Sequence, residues 1–507
     1  LEFKPLAAVW EITMGCNMRC KHCGSACKTA QKGELSTREA LKLCDELAEL
    51  GLKWVTVSGG EALTRNDWHV IAGRLSQNGV TPQLITNAWL VDSEIVELAE
   101  RAGIGTFAIS LDGIKETHDF MRMEGSFKRV MKGFELLKGT SLVPAAITTV
   151  TNTNVKQLEQ MKEILLEKGV KLWQIQIGLP MGNFAENKSL LLEPEYVDTI
   201  IDFAYDMLSE DKIDMFLADC IGYYNLKEIA VRSKTFSAEN THWQGCTAGK
   251  QSMGILHNGD ILGCTSIRDR KFIEGNIRYR SLKEIWNDEN SFRWSRGLSK
   301  EKLSGLCKKC GYGDLCLGGC PNTRLTINDD IYSENHYCSY NQAMRKTGER
   351  ISRINDSSKL FHMGKRLIER EEYQIAEMVM AKAVSMEPQN IDFLNNYGFV
   401  SYMLQNYNDA YDANRRALEI NRGNIYANKG MGLTLVKLGR LEDGIGFLKR
   451  SAALTTTDYM VPYYDLALTL IQNNRSREAE EIIEEGKRKS PDFVPMSEAL
   501  YGIMAQT

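Results

Sequence analysis

Gly15-Cys16-Asn17-Met18-Arg19-Cys20-Lys21-His22-Cys23 sets three cysteines in a C-x3-C-x2-C triplet, just behind the first strand-like segment of a 507-residue chain. Three thiolates this close together can hold three irons of a cubane and leave the fourth iron without a protein ligand. A small molecule can then bind at that iron and react, whereas a saturated cluster only passes electrons. Taken alone, the triplet is also a zinc motif, because clustered cysteines serve both metals.

Downstream, Ser36-Thr37-Arg38-Glu39 reads as a capping box, with Leu35 as hydrophobic staple, and opens an amphipathic helix running to about Gly51. The short apolar strand Trp54–Ser58 follows and ends in Gly59-Gly60-Glu61. Small residues at a strand's carboxyl end admit a ligand to the backbone, and a carboxylate there suits an ammonium group. From Ala7 to about Pro180, strand-like and helical runs alternate, which is the pattern of a parallel α/β architecture. The strands are expected at Val9–Thr13, Trp54–Ser58, Gln83–Thr86, Phe107–Leu111, Ala145–Val150 and Trp173–Ile177. Helices such as Ser93–Ala102 and Asn154–Lys168 lie between them. Six such units predict a partial (β/α)6, TIM-like barrel whose active face is at the strands' carboxyl ends. The cysteine triplet, Gly59 to Glu61, Thr86-Asn87, Ser110 to Gly113 and Ile177-Gly178 all fall on that face.

A cysteine triplet followed one helix later by Gly-Gly-Glu resembles the signature of the radical S-adenosylmethionine (SAM) enzymes. The resemblance implies that Cys16, Cys20 and Cys23 hold a [4Fe-4S] cluster whose open iron chelates the amino and carboxylate groups of SAM. It also implies that Gly59, Gly60 and Glu61 meet the methionine amino group, and that Ser110 offers a SAM-contacting hydroxyl. Asn87 and Ile177 join the cofactor-binding set. His118-Asp119 and Arg122 are similar to a segment common in this class. Asn87 is followed by Ala88 where the family usually has glycine, which puts the family's turn there in question. No general base can be named.

Farther on, Cys246 is followed by Gly259 and Cys264, then by Cys307-x2-Cys310-x5-Cys316-x3-Cys320 and a lone Cys338. Read alone, Cys307 to Cys320 is also a zinc knuckle. The full order resembles the SPASM extension of radical SAM enzymes, which holds two auxiliary [4Fe-4S] clusters, for three in all. By that resemblance Cys307, Cys310, Cys316 and Cys338 complete one cluster, while Cys246, Cys264 and Cys320 hold the other. In some relatives a cysteine six positions before the first of the seven supplies the missing ligand. Here that position is Asn240. Cys220 is a substitute, or the site stays open for substrate. Cys44 reads as a core hydrophobe and Cys27 as packing near the first triplet.

Length predicts several domains: a barrel over 1–235, a cysteine-rich lobe over 236–348 and a further domain over 349–507. A net charge of −4, from 62 basic and 66 acidic residues, gives no electrostatic reason to expect nucleic acid or an anionic membrane. No apolar run approaches the roughly 20 residues of a membrane span, and there is no basic-then-apolar leader, so a cytoplasmic protein is expected. The chain begins at Leu1, which suggests missing or replaced native N-terminal residues. Thirteen cysteines in such a chain argue for metal ligation, not disulfides.

Cysteine is absent from the last part of the chain, where a repeat emerges. Gly364, Gly398, Gly432 and Ala467 recur at 34-, 34- and 35-residue intervals, echoed by Ala376, Ala410, Gly444, Ala479 and by Ala383, Ala417, Ser451, Gly486. Small residues at this period resemble the tetratricopeptide repeat, an all-α superhelix with a concave face for an extended peptide or a partner protein. Pro388 and Pro491 close the first and last units, Arg422 and Thr456 stand in that place in the others, and Pro495 to Ala505 reads as a capping helix.

SPASM enzymes act mostly on peptides and proteins. The leading expectation is therefore an enzyme that cleaves SAM to a 5′-deoxyadenosyl radical and oxidatively modifies a ribosomally made precursor peptide docked on the repeats. Electrons would come from a donor such as flavodoxin or ferredoxin. A runner-up is protein oxidation of the anaerobic sulfatase-maturase type, although Thr265 stands where those enzymes usually carry an aspartate base. A tetrapyrrole or other small molecule is a third option, and a zinc-stabilised, non-catalytic repeat scaffold a fourth.

Overall fold

A computed structural model describes residues 3–235 and 243–504. Seven strands run parallel in chain order: β1 (Ala7–Glu11), β2 (Trp54–Ser58), β3 (Thr81–Thr86), β4 (Thr106–Ser110), β5 (Val143–Val150), β6 (Leu172–Ile177) and β7 (Asp214–Leu217). Helices α1 (Thr37–Glu49), α2 (Trp68–Gln77), α3 (Ser93–Arg101), α4 (Lys115–Met121), α5 (Ser126–Leu137), α6 (Leu158–Glu167) and α7 (Val197–Glu210) connect them. On the other side of β1 come β8 (Ser252–Ile255), parallel to it, then β9 (Asp260–Leu262), antiparallel to β8, and β10 (Gly275–Asn276), antiparallel to β9.

The sheet therefore exceeds the six strands expected. Asp214-Met215-Phe216-Leu217 is too short to show a period, and Ser252-Met253-Gly254-Ile255 carries a glycine, which weakens any strand signal. Both pair with backbone that β6 and β1 would otherwise leave as an open edge. The first strand also ends at Glu11, not Thr13, because the carbonyl of Thr13 turns to accept from the N–H of Gly60.

Period-two alternation sorts the barrel residues into two faces. Trp10, Val55, Val57, Leu84, Phe107, Ile109, Trp173 and Ile175 form the buried core with Leu43, Cys44, Leu47, Ile71, Leu75 and Phe134 from the helices. The parallel register places the alternate set inside the barrel, with Val9 beside Thr56, Thr56 beside Gln83 and Thr149 beside Gln176. Val9 is 39% exposed although β1 is flanked on both sides, so the interior is an open lumen and not the packed core of a closed barrel. Amides and hydroxyls line it: Thr56 donates to Gln83 at 3.1 Å and Gln176 to Thr149 at 3.2 Å. The expected capping box opens α1, with Ser36 and Glu39 each accepting the other's backbone N–H.

The chain divides into two compact units, Leu1–Gln342 and Ala343–Thr507. Trp286, Phe292 and Tyr337 of the cysteine-rich lobe share the core of the barrel, so lobe and barrel pack as one body. The second unit is helical. Ser357–Glu369, Tyr373–Met386, Ile391–Met403, Tyr407–Ile420, Ile425–Lys437, Leu441–Leu454, Val461–Gln472 and Ser476–Lys489 follow in order, each packed on the next. Val494–Met504 ends the described residues, and Ala505 lies beyond them.

The periodic small residues sit where these helices cross. A Cβ at Gly432 would come within 2.7 Å of Leu448 Cγ and 2.8 Å of the Gly444 carbonyl, and one at Gly364 within 2.5 Å of Met380 Cε. A second period is legible only in three dimensions. Glu371, Gln405, Gly439 and Asn474, at the turn within each helix pair, all hold φ between +60° and +80°.

Two contrasts test this packing by urea unfolding of the full chain. Gly432→Ala should destabilise the helical transition by about 1–3 kcal/mol through overpacking, whereas Gly446→Ala, exposed in a helix with open space around it, should stabilise by roughly 0.5–1 kcal/mol. Gln405→Gly should gain about 1 kcal/mol by relieving its left-handed backbone.

Candidate functional site

Cys16, Cys20 and Cys23 stand on the loop leaving β1, partly exposed; Cys23 bears on the ionisation of both Cys16 and Cys20, and Cys16 on that of Cys20. The loop is gripped from several sides. Cys16 N–H donates to Lys28 O, Lys21 N–H to Met121 O, and the Asn183 amide reaches Cys20 O at 3.0 Å. Burial pushes Cys20 up to about 11 although Arg122 pulls the other way. The Cys27 thiol, buried beside Met14, holds Cys23 well below the usual thiol range. Cys44 lies in the helix-side core.

Gly59 and Gly60 sit where two backbones meet. They admit the cysteine loop itself: a Cβ on Gly59 (φ +148°) would lie 2.4 Å from Thr13 O, and one on Gly60 would lie 2.2 Å from Gly15 O. The N–H groups of Gly60 and Glu61 donate to those same carbonyls, at 2.7 and 2.8 Å. The Glu61 side chain turns inward, 2% exposed, and accepts from Thr86 Oγ1 at 2.8 Å, Asn87 N–H at 2.7 Å and Leu63 N–H at 3.3 Å. Burial raises its pKa and these donors oppose the rise.

Asn87 links back to the loop by donating to Asn17 at 2.8 Å. Ala88 takes the left-handed conformation (φ +63°), so the turn forms without the glycine. Ser110 ends β4 with its side chain buried. Ile177 ends β6 with its side chain in the core and its N–H donating to Cys220 Sγ at 3.3 Å.

Asp112 is the electrostatic centre beneath the loop. It is fully buried; Arg122 and His22 pair with one of its carboxylate oxygens and Thr149 N–H donates to the other at 2.8 Å. Burial alone would raise its pKa, but Arg122 and His22 outweigh this and hold it well below the carboxylate range. His118 accepts the Asp112 N–H, and burial lowers it to about 4. Asp119 instead accepts the Phe127 N–H in the first turn of α5.

In the lobe, Cys307, Cys310, Cys316 and Cys338 line a single small pocket together with Tyr223, Tyr312, Tyr340, Asn335 and Asn341. Backbone N–H groups of Asn335, Tyr312 and Asn341 already point at Cys307, Cys310 and Cys338, at 3.3–3.5 Å. Cys246, Cys264 and Cys320 form a separate set, tied together by mutual influence on their ionisation. Sequence reasoning missed Asp219, whose carboxylate bears on all three, while Cys220 lies toward Cys320. Its signal was slight: an acid in an apolar run beside the more conspicuous Cys220. Asn240 lies outside the described residues. Among the described residues, no three His, Cys, Asp or Glu side chains are grouped closely enough to hold a single metal ion. Paired free thiols with N–H donors aimed at sulfur do suit thiolates that share a larger iron–sulfur body.

Asp112→Asn should cost about 3–5 kcal/mol at neutral pH, since it leaves Arg122 buried without its partner. The Asp112 contribution is fully present above pH 3.8 and is lost as pH falls through the depressed folded value. Urea unfolding of iron-free wild type and variant should therefore show a gap that narrows only below pH 3.8.

Two family models match, the radical SAM superfamily over residues 10–165 and an iron–sulfur cluster-binding domain over 246–311. An AdoMet-dependent heme synthase of Methanosarcina barkeri is 31% identical over 348 residues, covering 66% of this chain and 97% of that protein. The mycofactocin maturase MftC of Mycobacterium ulcerans is 28% identical, covering 62% and 83%. Among solved structures, Streptococcus suis SuiB bound to its precursor peptide SuiA is similar in fold (TM-score 0.55, 17% identity, 65% of this chain and 75% of that one). With the cysteine loop, the two thiol sets and a relative matched over nearly its whole length, the chain belongs to the radical SAM superfamily, as a SAM-dependent iron–sulfur enzyme with a SPASM lobe.

Proposed function

We propose that this enzyme removes hydrogen from a ribosomally made peptide and leaves an oxidative change of the crosslink or dehydrogenation type. Cys16, Cys20 and Cys23 would hold the SAM-side cluster. Cys307, Cys310, Cys316 and Cys338 would hold one auxiliary cluster, and Cys246, Cys264 and Cys320 the other. Together the clusters and SAM supply a 5′-deoxyadenosyl radical that takes a hydrogen atom from an unactivated carbon, and an acceptor for the electron left on the substrate.

The chain's own residues do the positioning. Ser110, Asn87 and the backbone at Gly59, Gly60, Glu61 and Ile177, which end or follow the parallel strands, would contact SAM. The buried Glu61 braces β2 against β3, and Asp112 with Arg122 and His22 holds the cysteine loop from below. Holding the reacting carbon close to SAM in one orientation is the larger part of what a protein contributes to such chemistry.

The observation that carries the oxidative reading is the presence of two distinct thiol sets besides the first triplet. A peptide substrate is supported by the amide- and hydroxyl-lined lumen, which suits backbone hydrogen bonding. It is supported too by the helical unit, which we read as about four tetratricopeptide repeats offering a concave surface to an extended leader or partner. The mycofactocin maturase among the relatives points the same way. A tetrapyrrole substrate is the second reading, favoured by the 31% identical heme synthase. A flavodoxin or ferredoxin would be the electron donor.

Anaerobically prepared protein should carry roughly twelve irons per chain with matching sulfide, and Cys20→Ala should abolish release of 5′-deoxyadenosine. If a short open reading frame is found beside the gene, its co-expression with this enzyme should give a peptide product a few hydrogens lighter by mass spectrometry. An unaltered peptide, together with conversion of an iron-porphyrin precursor to heme, would replace this reading with the tetrapyrrole one.

A further inference from the structure

Arg324 lies in the helix Pro321–Asn328, 0% exposed, and its Nε, Nη1 and Nη2 meet no hydrogen-bond partner among the described residues. A guanidinium keeps its proton at any accessible pH, so among the described residues this is a buried cation whose N–H groups are unsatisfied, an arrangement that calls for an anionic partner. The groups that bear on it most strongly are not carboxylates. They are Cys307, Cys320, the Tyr223 phenol and Cys246. The phenol is already engaged, accepting from Cys320 N–H and donating to the Asp219 carbonyl.

The three cysteines come from both thiol sets. Cys307 lines the four-cysteine cavity, whereas Cys320 and Cys246 belong to the trio with Cys264. The local backbone is shaped around the guanidinium. Gly318 (φ +75°) lies in the turn between Cys316 and Cys320, and a Cβ there would come 3.2 Å from Arg324 Cζ and Nη1. Cys320 is the N-cap of the helix that carries Arg324.

We propose that Arg324 is the shared counter-ion of two iron–sulfur centres, lying between them and donating N–H groups to the sulfurs of both. This rests on the reading above that the seven lobe cysteines hold two clusters. A fixed cation and N–H···S bonds favour the more negative, reduced form of each cluster, so one residue raises both reduction potentials together. Both centres then become better acceptors of an electron leaving the substrate.

The test uses anaerobically prepared full-length protein and EPR-monitored redox titration. Arg324→Gln should lower the reduced-to-oxidised ratio of both auxiliary centres about tenfold at a fixed poise, which is ~59 mV for a one-electron couple. The centre at Cys16, Cys20 and Cys23 should not move, and Arg324→Lys should recover part of the shift. Unchanged potentials, or a shift in one auxiliary centre alone, in protein with full iron would overturn the shared role while leaving the two-cluster reading intact. Wild-type protein with iron for a single cubane would instead overturn that reading, and this inference with it. If Arg324→Gln fails to fold or load iron, wild-type protein labelled with 15N-arginine decides. Nitrogen coupling to both reduced auxiliary centres in pulsed EPR supports the assignment, and its absence refutes it.

Discussion

The contact on which the active face depends is the approach of two backbones, that of Gly59-Gly60 at the end of β2 and that of Thr13 to Gly15 at the root of the cysteine loop. No side chain fits between them: the nearest carbonyl would stand 2.2 Å from a Cβ on Gly60. Two N–H···O bonds cross the gap and fasten the loop to the barrel before any metal is considered. A loop that must present three thiolates in one geometry loses less conformational entropy on binding when the protein has already ordered it.

Around that contact, the buried charges serve the scaffold first. Glu61 spends its carboxylate on the Thr86 hydroxyl and the Asn87 and Leu63 N–H groups, tying β2 to β3. Asp112 pairs with Arg122 and His22 under the cysteines and also holds the β5 backbone at Thr149. At Asp112 the partners outweigh the cost of burial and keep the carboxylate ionised, whereas at Glu61 burial outweighs the donors and raises the pKa. In the lobe the balance is reversed. Arg324 has no hydrogen-bond partner among the described residues and stands beside thiols that would become anionic as metal ligands.

The helical unit shows how far a period can be read from residue type. Small residues recur at helix crossings because a larger side chain would force the axes apart, and their spacing is visible in the one-dimensional string. The left-handed residues at the pair turns recur just as regularly, but as Glu371, Gln405, Gly439 and Asn474. Only the glycine and asparagine advertise that conformation. The other two are held there by the packing of the helices they join, against a local preference of about 1–2 kcal/mol.

The sequence by itself determined the βα alternation, the capping box at Ser36, the cysteine spacings and the small-residue period, since each rests on local chemistry that a short window contains. Tertiary structure decided the rest. β7 and β8 exist because an edge needed pairing, which no four-residue window can announce. Ala88 turns left-handed because its neighbours require it. The placing of Asp219 and Arg324 beside the thiols brings together residues from different parts of the chain. Proximity of that kind comes from how the elements pack, and residue type alone carries no record of it.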